Sequence, residues 1–244
     1  MLTALSLPAS APLPEFRAVY PSGRRVPENL LRFSLVFRRV PAGPVLPGLR
    51  LLRADGTRID QPFLEQELWS PERHLLTVLM HPGRVKTGLI ANETLGRALK
   101  PGTVVRLAWN GQTLKTWAVG PADTAPLDPS AWRVSPPAAG SKRPLMVRFD
   151  HPIDALDVNL LAVAEPSGER LPGQGALGPG ELSWTFRPAR PWRSARYRLR
   201  LNPELEDACG NRVGEAFEHP AGRLQRASAY SVPDSGREFT VKSR

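Results

Sequence analysis

The sequence predicts an all-β protein made of two tandem antiparallel β-sandwiches, and three observations carry that prediction. Apolar and polar residues alternate in short runs: Leu145, Val147 and Phe149 share one face, Met146 and Arg148 the other. The 27 Pro and 20 Gly punctuate the chain as turns between strands require. The chain also repeats itself. Phe37 precedes Phe149 by 112 residues, and the turn Asp55-Gly56 precedes Ser167-Gly168 by the same interval.

Taken in order, the first unit spans 16–119. It opens on Pro21-Ser22-Gly23 and continues through "LLRFSLVF" (30–37), "LRLLRADGTRID" (49–60), "HLLTVLMHPGRVKTG" (74–88) and "LKPGTVVRLAW" (99–109). A Pro- and Asp-rich linker, 120–132, follows; its prolines favour stiff extended backbone and predict two sandwiches set end to end. The second unit spans 133–222. It contains "LMVRFD" (145–150), "NLLAVAEPSGERLPG" (159–173), "LSWTFRPARPWRSA" (182–195) and "YRLRLNPELEDACGNRV" (197–213). Four or five strands are legible per unit, fewer than the roughly seven of an immunoglobulin sandwich. The polar tail, 223–244, holds "REFTV", which could add an edge strand. Residues 1–15 read as a flexible N-terminus or the remnant of a secretion signal: Ala9-Ser10-Ala11 follows a short apolar segment, without a positively charged leader.

Composition excludes several classes. A single Cys forbids an intrachain disulfide and paired-thiolate zinc sites. No apolar run reaches membrane-spanning length. The net charge of +10 invites a polyanion partner, but the basic residues are almost all Arg and are dispersed along strands, so nucleic acid is not expected.

The motifs resemble a known family. Pro136, Phe149, Trp184, Phe186, Pro188, Trp192, Tyr197, Asp207, Gly210 and Asn211 follow the pattern of bacterial Ig-like domains of the S-layer SbsA type. The first unit is similar through Pro21, Phe37 and His81-Pro82, with His81 where the class carries Asp and without the closing D-x-x-GN turn. The resemblance implies two tandem immunoglobulin-like β-sandwiches and an exported protein, in the periplasm or at the cell surface. Its partner would be envelope polysaccharide or another envelope protein.

Candidate sites are few. "GQGALG" (173–178) matches a dinucleotide fingerprint but precedes a strand, and reads as a hairpin loop. The four His (74, 81, 151, 219) show no metal-ligand spacing. "DHPIDALD" (150–157) lacks the spacing of a calcium loop and reads as a surface turn. No catalytic, cofactor or metal residue is therefore assigned. "HPGRVK" (81–86) would project Arg84 and Lys86 from a Pro-Gly turn toward an anionic ligand. Asp207, Gly210 and Asn211 form a structural turn around Cys209, ahead of a further strand expected near Phe217. The expectation is a non-catalytic structural or adhesive envelope module. The alternative is a glycan or anionic-polymer binder using the basic 81–100 region, and a hydrolase accessory domain is the third reading.

Overall fold

The computed structural model of the chain describes residues 16–86, 89–217 and 236–243. The signal-like segment within 1–15 and most of the polar tail lie outside them. Strands dominate, as alternation requires. The first unit contains β1 (Phe16–Tyr20), β2 (Arg25–Pro27), β3 (Arg32–Phe37), β4 (Leu49–Arg53), β5 (Leu68–Trp69), β6 (Leu75–Leu79), the short helix α1 (Ile90–Leu95), β7 (Val104–Trp109) and β8 (Gln112–Gly120). The second contains β9 (Arg133–Ser135), β10 (Leu145–Arg148), β11 (Leu161–Ala164), β12 (Gly173–Leu177), β13 (Ser183–Pro188), β14 (Ala195–Leu201) and β15 (Arg237–Val241).

The two units share one topology. One sheet of the first runs β1-β3-β6-β5, and its counterpart in the second runs β9-β10-β13-β12. The facing sheets run β2-β8-β7-β4 and β15-β14-β11. Among the described residues the strand pairings are antiparallel except β2 with β8; the isolated bridge Leu127–Val213 is also parallel. Inward residues of both sheets merge into one core per unit. Phe33, Leu35, Leu76 and Val78 meet Leu51, Leu107 and Trp117 in the first; Val147, Trp184 and Phe186 meet Val163, Leu199 and Phe239 in the second. Phe33 stacks on Trp117 at 4.9 Å, and Trp192 meets Tyr197 edge-on at 5.1 Å. Such aromatic pairs add to the area they bury.

Topological equivalence makes β15 the partner of β8. "REFTV" is therefore the seventh strand of the second sandwich, pairing with β14 from Ala195–Val241 to Leu199–Arg237 and burying Phe239 and Val241. The strand after the closing turn is this one. The segment around Phe217 lies outside the named strands, because Asn211 Oδ1 accepts from Phe217 N and holds it in the turn. In the first unit a tight hairpin at Asn110-Gly111 links β7 to β8. In the second, residues 202–236 separate the equivalent strands. That excursion carries the D-x-x-GN turn, and the hairpin leaves no room for one in the first unit.

A second correction concerns "GQGALG". It is mostly strand β12, paired with β13, and not a loop. A Cβ on Gly173 would stand 2.4 Å from Phe186 Cζ, and one on Gly175 would stand 2.6 Å from Trp184 Nε1. The glycines make way for aromatic rings.

Candidate functional site

The polar chemistry of this chain gathers at the seam between the sandwiches. It begins on β3. Phe33, Leu35 and Phe37 enter the core, so Arg32 and Ser34 point the other way, toward the second unit. Arg32 Nε donates to Asp154 Oδ2 at 2.7 Å and its Nη2 donates to Glu206 Oε1 at 2.6 Å. Both carboxylates are themselves anchored. Asp154 Oδ1 accepts from Leu156 N at the start of a 3-10 turn, and Glu206 takes a second cation, Arg212 Nε, at 3.5 Å. Nearby, Asp157 Oδ2 accepts from Glu206 N at 2.8 Å. Burial raises the Asp157 carboxyl to about 6; the bond from Glu206 N and the charge of Arg32 oppose the rise, while Asp154 and Glu206 add to it.

The closing turn forms the middle of the seam. Asp207 Oδ1 accepts from Cys209 N at 2.7 Å and Asn211 N at 2.9 Å, and Oδ2 accepts from Asn211 Nδ2 at 2.7 Å. Gly210 at φ +81° completes the reversal, a conformation that favours glycine. The turn is buried against the first sandwich. Leu31 N donates to Ala208 O at 3.0 Å, and Cys209 Sγ lies 3.4 Å from Asn29 Oδ1. Asn29 Nδ2 and Asn211 Nδ2, one from each unit, both donate to the linker carbonyl Asp123 O, at 2.7 and 3.1 Å. At the far end Ser22 N donates to Glu181 Oε2 and Gly180 N to Ser22 Oγ. Desolvation raises the Glu181 carboxyl, although Ser22 and Lys115 act against it. Thus the sandwiches are joined along a hydrogen-bonded contact that the linker also enters.

The basic turn behaves differently from its sequence expectation. Arg84 is 2% exposed, and its Nη1 donates to the carbonyls of Leu95 and Gly96 at the end of α1. It satisfies helix-end acceptors and cannot meet a ligand from solvent. Lys86 Nζ lies 4.2 Å from the ring centroid of Phe217, so this cation also faces the seam. His81 Nδ1 accepts from Gly83 N, which gives the imidazole the acceptor role of a turn-capping carboxylate.

Within the seam, Asp123, Asp154, Asp207, Cys209, Pro152 and Arg32 help enclose a cavity of about 50 Å³. Beside it, Asp123, His151 and Asp207 each bring one ligand-type atom within 4.8 Å of the others. Sequence reading missed this convergence and the Arg32 cluster. The Asp- and His-rich run 150–157 was their visible signal, but its partners lie far away along the chain.

No protein-family model and no curated protein matches this chain. Among solved structures it is similar to Mycobacterium tuberculosis L,D-transpeptidase 1, at 13% identity and a TM-score of 0.27, over 68% of this chain and 62% of that one. It is also similar to domains 5–6 of the S-layer protein SbsC, at 8% identity and a TM-score of 0.26, over 95% of this chain and 99% of that one. The chain therefore spans less than two thirds of the transpeptidase it matches. Likeness at this level adds nothing to the sheet topology described above. No helix among the described residues is long and apolar enough to cross a membrane.

Proposed function

We propose that this chain is a non-catalytic structural or adhesive module of the bacterial cell envelope, in which two Ig-like sandwiches act as one stiff unit. The observation that carries the reading is Arg32 of the first sandwich, held between Asp154 and Glu206 of the second. A cation taken from water into a contact between domains is stable only while both units keep their relative placement. A module of this kind works by geometry, keeping a binding surface at a fixed distance and angle from an anchor. Its place in the envelope rests on the motif resemblance from Pro136 to Asn211. The buried Arg84 leaves the basic 81–100 region a poor anion receptor.

Backbone relaxation by NMR on the full chain tests the stiffness. One rotational correlation time shared by both sandwiches supports the reading; two independent values overturn it. Fractionation of native cells tests the location, with recovery in the cytosol as the contrary result. Turnover of peptidoglycan or glycan substrates by the purified chain would contradict the non-catalytic assignment.

A further inference from the structure

We propose that Asp123, His151 and Asp207 form a binding site for one divalent transition-metal ion of the zinc class, set where the linker, the loop leaving β10 and the closing turn converge. The three residues come from separate stretches of chain, and only the fold joins them. Their ligand atoms lie within 4.8 Å of one another. Ligands of a tetrahedral ion at about 2.1 Å stand about 3.4 Å from one another, so closure draws the widest pair together by up to about 1.4 Å. This inference does not depend on the envelope reading.

Each ligand is held in a way that suits coordination. His151 Nδ1 lies 3.3 Å from Asp150 Oδ2, while Nε2 is shielded from solvent without a hydrogen-bond partner among the described residues. A carboxylate beside one ring nitrogen leaves the other, Nε2, as the nitrogen for a metal. Asp207 accepts three hydrogen bonds, two on Oδ1 and one on Oδ2, out of about four lone-pair positions. Its carboxylate is thus oriented and still has capacity to spare. Asp123 Oδ1 accepts from Ala125 N at 3.2 Å, and its carbonyl is clamped by Asn29 and Asn211.

The surroundings supply a reason for a cation. Asp207 is buried, and Asp123 brings a second carboxylate beside it. A divalent ion would neutralise both carboxylates. The cations lining the adjacent cavity are Arg25 and Arg32, and Arg32 is already matched by Asp154 and Glu206. The cavity's volume of about 50 Å³ exceeds the 10–15 Å³ or so that one water needs, so a solvent ligand can complete the shell. An imidazole with two carboxylates suits zinc and its neighbours; calcium prefers six to eight oxygens. The ion would tie the linker to the second sandwich beneath its contact with Asn29 of the first.

Isothermal titration of the chelator-stripped full chain with zinc chloride tests the site, alongside His151→Ala and Asp123→Asn. Circular dichroism and the metal-free melting temperature verify that both variants fold. The expected result is one zinc per chain, an increased melting temperature on loading, and at least about tenfold weaker binding in either variant. Cobalt loading should give a visible absorption band that His151→Ala abolishes. Equal zinc binding by wild type and His151→Ala, or no stoichiometric uptake, overturns the proposal. Calcium binding tighter than zinc overturns the assigned metal class.

Discussion

Arg32 and Asp154, 122 residues apart in sequence, meet at 2.7 Å and pin the first sandwich to the second. Glu206 takes the other side of the guanidinium, so removing Arg32 leaves the buried Asp154 without its cation and Glu206 with Arg212 alone. Breaking a buried pair from one side typically costs about 3–5 kcal/mol. Arg32→Ala should lose roughly that much stability in urea unfolding, and the two sandwiches should then melt as separate transitions. A double-mutant cycle with Asp154→Asn measures the coupling; additive effects would mean that the contact holds nothing.

Gly210 and Cys209 adjoin in the closing turn but should respond to mutation in different degrees. A side chain on Gly210 faces a φ of +81° and finds Leu31 Cδ1 and Phe217 Cδ2 each 3.0 Å away. Gly210→Val should therefore cost at least about 2 kcal/mol, from backbone strain and the displaced seam. Cys209→Ser keeps a donor near Asn29 Oδ1 and should stay within about 1 kcal/mol of wild type. Thermal melts of the two variants provide the comparison.

Asp157 makes the protein less stable as pH rises. Its folded value of about 6 exceeds the ordinary carboxylate range, so the folded state binds the proton more tightly than the unfolded chain does. The penalty is absent below about pH 4, grows between about 4 and 6, and is complete at neutrality. Asp157→Asn retains an acceptor for Glu206 N without the charge. It should gain about 1–2 kcal/mol over wild type at pH 7, after allowance for solvent screening, and nothing near pH 4. Urea midpoints measured across that range test the sign as well as the size.

Deleting residues 236–244 should unfold the second sandwich selectively. Phe239 and Val241 leave the core with them, at about 1.5–3 kcal/mol each, and β14 loses its partner. Near-ultraviolet circular dichroism would lose the signal of the Trp192 and Tyr197 cluster. An unchanged melting profile would refute the equivalence of β15 and β8.

Period-two alternation is a local property, which is why β3, β10, β13 and β14 were legible in the sequence. The 112-residue repeat gave the domain count for the same reason: one copy checks the other. The seam has no such signature. Arg32 is one Arg among many alternating with apolar residues, and its partners Asp154 and Glu206 follow no repeat. Arg84 was misplaced because a Pro-Gly turn states where the chain bends, not what packs above the bend; the carbonyls of Leu95 and Gly96 decide that. β15 was faint because residues 202–236 part it from β14, so no hairpin spacing marks it.

That excursion also sets an order of events during synthesis. The first sandwich is complete once residue 120 has emerged from the ribosome, whereas the second waits for residue 241. At about 5–20 residues per second the gap is on the order of ten seconds. For roughly the last few seconds of it, while the chain between residues 201 and 241 is made, β14 presents an unpaired edge, the kind of surface that recruits foreign strands. A nascent chain of this protein is most exposed to aggregation after half of it has already folded.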